Sequence, residues 1–309
     1  MEIRQLETFV SVAKNLNFSR AADEINLSQP TISTHISALE NYLDLQLFVR
    51  NTKEVSLTKA GKDFLGYALK ILAIRDQALH DIRGEDLSVR GNIDIISSTI
   101  PAQHLLPEII AAFHKQRPNV IFHVEQADSR QVEREMSGFR YDFGMIGTTP
   151  DSSRFTHYPV CDDELVLILP NDIRQSPESI REGFADFIRQ VPFIMRESGS
   201  GTRAEIDNIF SGLGINSGDL HIAAYLSDAH SILLAVSKGM GVSLIPRVAA
   251  VMYVDAGLIK QVEMKSPMFH RQIHLLHNKE LLFSPIQQIF CDHVRQFYGY
   301  NSLASTKVP

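Results

Sequence analysis

The stretch Phe18-Ser19-Arg20-Ala21-Ala22, followed by Leu27-Ser28-Gln29-Pro30-Thr31-Ile32-Ser33, decides the fold. Ala21, Ala22 and Ile25 share one face, and Ser19 is a candidate cap, so the first part predicts a short helix. Asn26-Leu27 predict a tight turn. Ser28 then caps another helix running to about Asn41, with Pro30 in the first turn, where no N–H partner is needed. Upstream, Leu6, Phe9, Val10 and Ala13 recur at helical spacing. Small residues at Ala21 and Ala22 let the last two helices approach closely, which is helix-turn-helix architecture. Ile32, Ile36 and Leu39 form the buried face, leaving Gln29, Pro30, Thr31, Ser33, Thr34 and His35 at the polar, N-terminal end. Beyond Asp44 the pattern becomes β-like. Leu47-Phe48-Val49-Arg50, the polar tip Asn51-Thr52-Lys53 and Val55-Ser56-Leu57 predict a hairpin, or wing.

Outward from that head, residues 59–84 carry one long helical pattern. Leu65, Leu72 and Leu79 are spaced by sevens, with Ala68 and Ile82 on the adjoining edge. The spacing predicts a dimerising seam; the alternative is a helix packed on its own domain. From residue 91 to 300 strands and helices alternate, predicting an α/β fold with largely parallel sheets in two lobes around a cleft. The expected division is a winged helix-turn-helix over residues 1–58, a linker helix and hinge over 59–90, and a two-lobed domain over 91–309. Lobe I covers about 91–162 and 267–300, and lobe II about 163–266.

Composition bounds the function. The chain has 309 residues, 44% apolar and 21% charged, which suits two globular domains and argues against long disorder. Its longest apolar run, Val248 to Val254, is far short of the roughly 20 residues a spanning helix needs. With no secretory signal after Met1, a cytoplasmic protein without membrane partners is expected, and Cys161 and Cys291 are expected as reduced thiols. The net charge is -6, and residues 1–62 hold 7 basic against 7 acidic side chains. Nucleic-acid binding therefore cannot rest on bulk charge, only on where a few basic groups sit.

The literal residues are more specific than their periodicity. The two blocks quoted above, then Leu39-Glu40, Leu47-Phe48-Val49-Arg50 and Leu57-Thr58-Lys59-Ala60-Gly61, resemble the LysR-type transcriptional regulators in order and spacing. The layout of the remaining chain is also similar to theirs. The resemblance implies a winged helix-turn-helix, a dimerising linker helix and a two-lobed effector domain like periplasmic binding proteins. It implies double-stranded promoter DNA and a small-molecule effector as partners, a homodimer or homotetramer, RNA polymerase as a further candidate partner, and no enzymatic activity. By that resemblance Gln29, Pro30, Thr31, Ser33 and Thr34 face DNA, with Arg50 and Lys53 of the wing near phosphates or the minor groove; His35 and Thr58 complete the candidate set. Many members carry Arg where this chain has Thr34, and Gln where it has His35. Arg pairs bidentately with guanine and Thr cannot, so the base code differs here. His35 contacts phosphate or a base edge, or else faces solvent.

A second stretch, Arg196-Glu197-Ser198-Gly199-Ser200-Gly201-Thr202-Arg203, lies between the strand Phe193-Ile194-Met195 and a helical run. Glycines let successive N–H groups converge, hydroxyls add donors, and the helix start adds partial positive charge. Neither Walker A nor GxSxG spacing is present. Ser98-Thr99 and Gly147-Thr148-Thr149 end other strands and should face this loop across the cleft. The candidate effector set is thus Ser98, Thr99, Thr148, Thr149, Ser198, Gly199, Ser200, Gly201 and Thr202. The loop is similar to one in LysR-type regulators of sulfur assimilation and carbon fixation. That branch implies sulfite, sulfate or another small oxyanion of sulfur or selenium metabolism as effector, and no cofactor. The other reading of the loop is a flexible capped turn.

His270 and His274 share a face of a predicted strand but lack a third metal ligand, so no metal site is expected. Asp162, Asp163 and Glu164 read as a solvated hinge between lobes. The alternative function is a cytoplasmic α/β enzyme or small-molecule-binding protein with an incidental helical N-terminus. No nucleophile–base pairing supports the enzyme.

Overall fold

A computed structural model describes residues 1–50, 55–83 and 90–299. The head is built from α1 (Ile3–Asn15), α2 (Phe18–Glu24) and α3 (Gln29–Leu43), then the wing strands β1 (Phe48–Arg50) and β2 (Val55–Leu57). The cap of α2 is Asn17 rather than Ser19: its side-chain oxygen accepts from Ser19 N at 2.9 Å and Arg20 N at 3.0 Å. Asn17 has the extended backbone that a cap needs, whereas Ser19 already lies inside the helix. Asn26 takes the turn at φ 54°, a conformation that Asn tolerates better than most residues. Phe9, Ala21, Ala22, Ile32, Ile36 and Leu39 close one core with Leu47 and Phe48 of the wing.

The linker helix α4 (Lys59–Arg83) follows. Its first half departs from the expected seam. Leu65 and Ala68 are buried in the head's own core and Leu72 packs against it, so these seam positions do serve their own domain. Ile74, Leu79 and Ile82 are exposed. Gly61 is required where α4 starts: a Cβ there would stand 2.1 Å from the carbonyl oxygen of Leu47.

The second part contains β3 (Gly91–Ser98), a π-helical turn over Pro101–Leu105, α5 (Leu106–Gln116), β4 (Val120–Ala127), α6 (Ser129–Met136) and β5 (Phe143–Ile146). The 15-residue β6 (Phe155–Leu169) leads into α7 (Pro177–Glu182), α8 (Phe184–Gln190), β7 (Phe193–Arg196), α9 (Gly201–Gly212) and β8 (Ile222–Leu226). Then come α10 (Ala229–Ser237), β9 (Ser243–Pro246), α11 (Arg247–Asp255), β10 (Lys260–Val262), β11 (His270–Asn278) and α12 (Pro285–Phe297).

Two lobes share the long strand β6. Its first part pairs β11 in lobe I, and its last five residues pair β9 and β10 in lobe II. The sheet order is β10-β6-β11-β5-β3-β4. Pairing is mixed rather than largely parallel: β3 runs parallel to β4 and β5, but β11 and β6 run antiparallel to their neighbours. Alternation of strands and helices predicts parallel pairs only while every helix returns the chain to the same edge. Here β6 follows β5 with no helix between them, and β11 follows β10 through a single short turn of helix over Pro267–Phe269, so neither strand has the crossover a parallel pair needs. In lobe II, Leu165, Leu167 and Leu169 face α8 and α9, while Val166 and Ile168 face α10 and α11. A strand covered on both faces reads as one apolar run, which is why this segment is legible as a strand.

The acidic run is not a solvated hinge. Asp163 is buried and pairs with Arg271 at 2.8 Å, and Glu164 pairs with Arg247. Both arginines come from segments distant in sequence, so the residues around Asp163 give no sign of the pairing.

Candidate functional site

In the head, Gln29, Pro30 and Thr34 are exposed on α3, while Thr31, Ser33 and His35 are half-buried. Gln29 Nε2 donates to Ser33 Oγ at 3.2 Å, and Thr34 Oγ1 donates to the carbonyl of Pro30 at 3.0 Å. His35 is half-buried rather than fully exposed to solvent. Its Nδ1 lies 2.9 Å from the hydroxyl of the buried Thr8 on α1. That hydroxyl gives its proton to the carbonyl of Arg4 at 2.8 Å, so Nδ1 must carry a hydrogen and donate.

Thr58 has a structural task. Its hydroxyl donates to the carbonyl of Gln46 at 2.7 Å and accepts from Gly61 N at 2.9 Å, capping α4 and tying it to the wing. Those bonds give Thr58 a part in the fold whether or not it also meets DNA. Glu40, buried in the head, accepts from Leu47 N at 2.8 Å and Phe48 N at 3.2 Å, which anchors the start of the wing. Arg50 ends β1 with its side chain outside the described residues, as is the whole of Lys53.

The cleft between the lobes is lined by Ser98, Thr99, Ser200, Gly201 and Thr202, together with Ser129, Asp128, Arg196 and Arg271. Three helix starts converge here, those of α6, α9 and the π-helical turn after β3. A Cβ on Gly201 would stand 2.6 Å from Ser129 Oγ and 2.8 Å from Thr148 Cγ2, so only glycine allows the lobes to meet this closely. The remaining volume is about 10 Å³, room for about one water-sized group.

Both cleft arginines are already engaged. Arg271 donates through Nε to Asp163 at 2.8 Å and through Nη1 across the cleft to Thr202 Oγ1 at 3.3 Å. Arg196 forks onto Glu197 at 2.8 and 2.9 Å and reaches the carbonyl of Ser227 at 3.1 Å. Such an arrangement supplies hydroxyls, backbone amides and balanced charge to a very small polar guest, and excludes a ring-sized one in this closed form.

Of the expected effector residues, Thr148 abuts Gly201 and Gly199 lies beside the Asp128 carboxylate. Ser198 and Thr149 are exposed and are not among the residues that line the cleft. Among the described residues, no group of three metal-ligating side chains gathers, and no helix is long and apolar enough to cross a membrane.

Residues 3–62 match the model of the bacterial regulatory helix-turn-helix protein, lysR family, and residues 88–299 match the LysR substrate binding domain. The chain belongs to the LysR family of transcriptional regulators. Similar relatives agree. An uncharacterized HTH-type transcriptional regulator of Methanocaldococcus jannaschii is 32% identical over 278 residues, covering 90% of this chain and 93% of that one. The HTH-type transcriptional regulator CysL of Bacillus subtilis is 26% identical, covering 88% and 85%. A probable RuBisCO transcriptional regulator of Trieres chinensis is 27% identical, covering 93% and 94%. Those two names agree with the sulfur-assimilation and carbon-fixation branch to which the Arg196–Arg203 loop is similar. Full-length OxyR from Pseudomonas aeruginosa shares the fold, with a TM-score of 0.74 at 18% identity, covering 96% and 95%. The family is one of regulators, not enzymes, and the enzyme reading is set aside.

In this LysR-type regulator, sequence reasoning missed Ser129, Asp128 and Arg271 at the cleft. Ser129 and Asp128 sit at the start of α6, where Asp128 caps the helix by accepting from Gln131 N at 2.9 Å. An Asp-Ser pair before a helical run was a readable signal. Arg271 carried none, since its partner lies 108 positions away.

Proposed function

We propose that this regulator reads promoter DNA with the exposed end of α3 and is controlled by a small oxyanion held in the inter-lobe cleft. Gln29, Pro30, Thr31, Ser33 and Thr34 are the reading residues, with Arg50 and Lys53 of the wing positioning the head on phosphates. Ser98, Thr99, Ser129, Ser200 and Thr202 supply the hydroxyls that hold the anion. The protein acts in the cytoplasm, where its DNA is, as a dimer or tetramer. The observation that carries the effector reading is the meeting of three helix starts and five hydroxyl side chains around a space of about 10 Å³. Sulfite, sulfate and their selenium counterparts match that donor set, and seating one requires the lobes to part beyond this arrangement, whose space holds about one water; an apolar effector does not match it.

Fluorescence anisotropy with DNA from the gene's own upstream region tests the DNA arm. Gln29→Ala should lose discrimination between that DNA and scrambled DNA, each lost base contact costing about 1–3 kcal/mol. Equal binding of wild type to both sequences at every salt concentration would refute promoter reading.

A further inference from the structure

The head does not hang free of lobe I. Lys14, at the end of α1, reaches across to β3 and places its ammonium 2.8 Å from Asp94 Oδ2 and 3.6 Å from Asp142 Oδ1. All three side chains are largely shielded, at 18%, 24% and 10% exposure. The two carboxylates are themselves braced: Asp94 N donates to Asp142 Oδ2 at 2.9 Å, and Asp142 N donates to the carbonyl of Asp94 at 2.8 Å. His123 Nδ1 also lies 3.0 Å from Asp94 Oδ1. A second contact lies on the linker helix. Phe139 adopts φ 59°, uncommon for an aromatic residue, and its ring packs on the head core within 3.8 Å of a Cβ built at Gly66. Backbone strain of this kind persists only where packing holds it.

We infer that Lys14, Asp94 and Asp142 form a latch that docks the DNA-reading head onto lobe I of the same chain. Burial alone would lower the Lys14 ammonium, but Asp142 and Asp94 outweigh it and hold the ammonium above its ordinary range. The dock is built to open. Beside the ion pair lies a polar cavity of about 480 Å³, walled by Lys14, Asn15 and Glu24 of the head and by Asp94, His123 and Tyr141 of lobe I. A wet, charged contact with so much open volume separates more readily than a packed apolar one.

Its position gives the latch consequence. Strand β3 runs from Asp94 to Ser98 at the effector cleft, and α1 runs from Lys14 back to Thr8, which holds His35 of the reading helix. Docked and undocked heads are thus two states of an element that touches both sites. This inference is independent of the anion's identity.

Carbodiimide treatment of the full chain forms an amide only between an amine and a carboxylate already in contact. With equal parts of ¹⁵N-labelled and unlabelled protein, the expected peptide joins Lys14 to Asp94 or Asp142 within a single isotope class. Mixed-isotope links would show a contact between subunits and overturn the proposal. So would no Lys14 link while other lysine–carboxylate links form. In small-angle scattering, Lys14→Met should enlarge the maximum dimension relative to wild type, and Lys14→Arg should not. If Lys14→Met fails to fold, Asp94→Asn replaces it, with the same enlargement expected. A wild type already as extended as these variants would refute the latch.

Discussion

Asp163 shows what a single residue can hide. On the reading of a solvated hinge, Asp163→Asn should change stability by less than about 0.5 kcal/mol. The structure places it opposite Arg271, with the two side chains only 7% and 6% exposed. Removing one partner of a shielded pair strands the other charge, so Asp163→Asn should destabilise the effector domain by about 3–5 kcal/mol. Urea denaturation at neutral pH decides, and a midpoint equal to that of wild type would restore the hinge reading. At this scale the sequence is readable where neighbours along the chain do the work. Ser28 caps α3 as expected, because a cap and its amides lie three residues apart. Asp163, Arg271 and Thr8 were opaque because their partners arrive from other elements.

Among the elements, the linker helix tests the assembly. Heptad spacing is visible from Leu65 to Leu79, but periodicity does not say which domain covers each turn. The structure divides it: Leu65 lies in the head core, and Leu79 is 42% exposed. A charge at each should therefore act differently. Leu79→Glu should weaken self-association in sedimentation while leaving the head folded, as judged by an unchanged melting transition. Leu65→Glu should unfold the head itself. If Leu79→Glu remains as associated as wild type at micromolar concentration, the exposed half of α4 is not the subunit contact. The mixed sheet follows the same logic. Leu165-Val166-Leu167-Ile168-Leu169 announces a strand by composition, but its antiparallel partners β9 and β10 arrive from about 75 to 95 positions further along the chain.

For the whole molecule, several buried or half-buried histidines link stability to pH. Burial, and then the neighbouring His157, push His274 down to about 4 from an ordinary 6.5. His104, His277 and His293 are also lowered, in each case first by burial. As pH falls below 6.5 the unfolded chain takes up protons that folded His274 refuses until about 4. Stability should therefore fall between those values and gain no further loss from this group below them. His274→Gln should flatten that slope in urea titrations across the window without abolishing it, since the other histidines remain. An unchanged slope would contradict the burial of His274.

On the proposed reading, the cleft selects a small oxyanion through hydroxyl and amide donors. Two lobes and a cleft were legible from alternating elements and from the Arg196–Arg203 loop, whereas the closure of the cleft was not, since it depends on Gly201 meeting Ser129 across the lobes. Isothermal titration calorimetry decides, with sulfite, sulfate, thiosulfate, selenite, phosphate and small carboxylates titrated into wild type, Thr202→Ala and Ser98→Ala. At least one of these anions is expected to bind wild type, and each variant to lose about 1.5–3 kcal/mol, roughly tenfold or more in affinity. No heat of binding from any anion, or equal affinity for all three proteins, would contradict it.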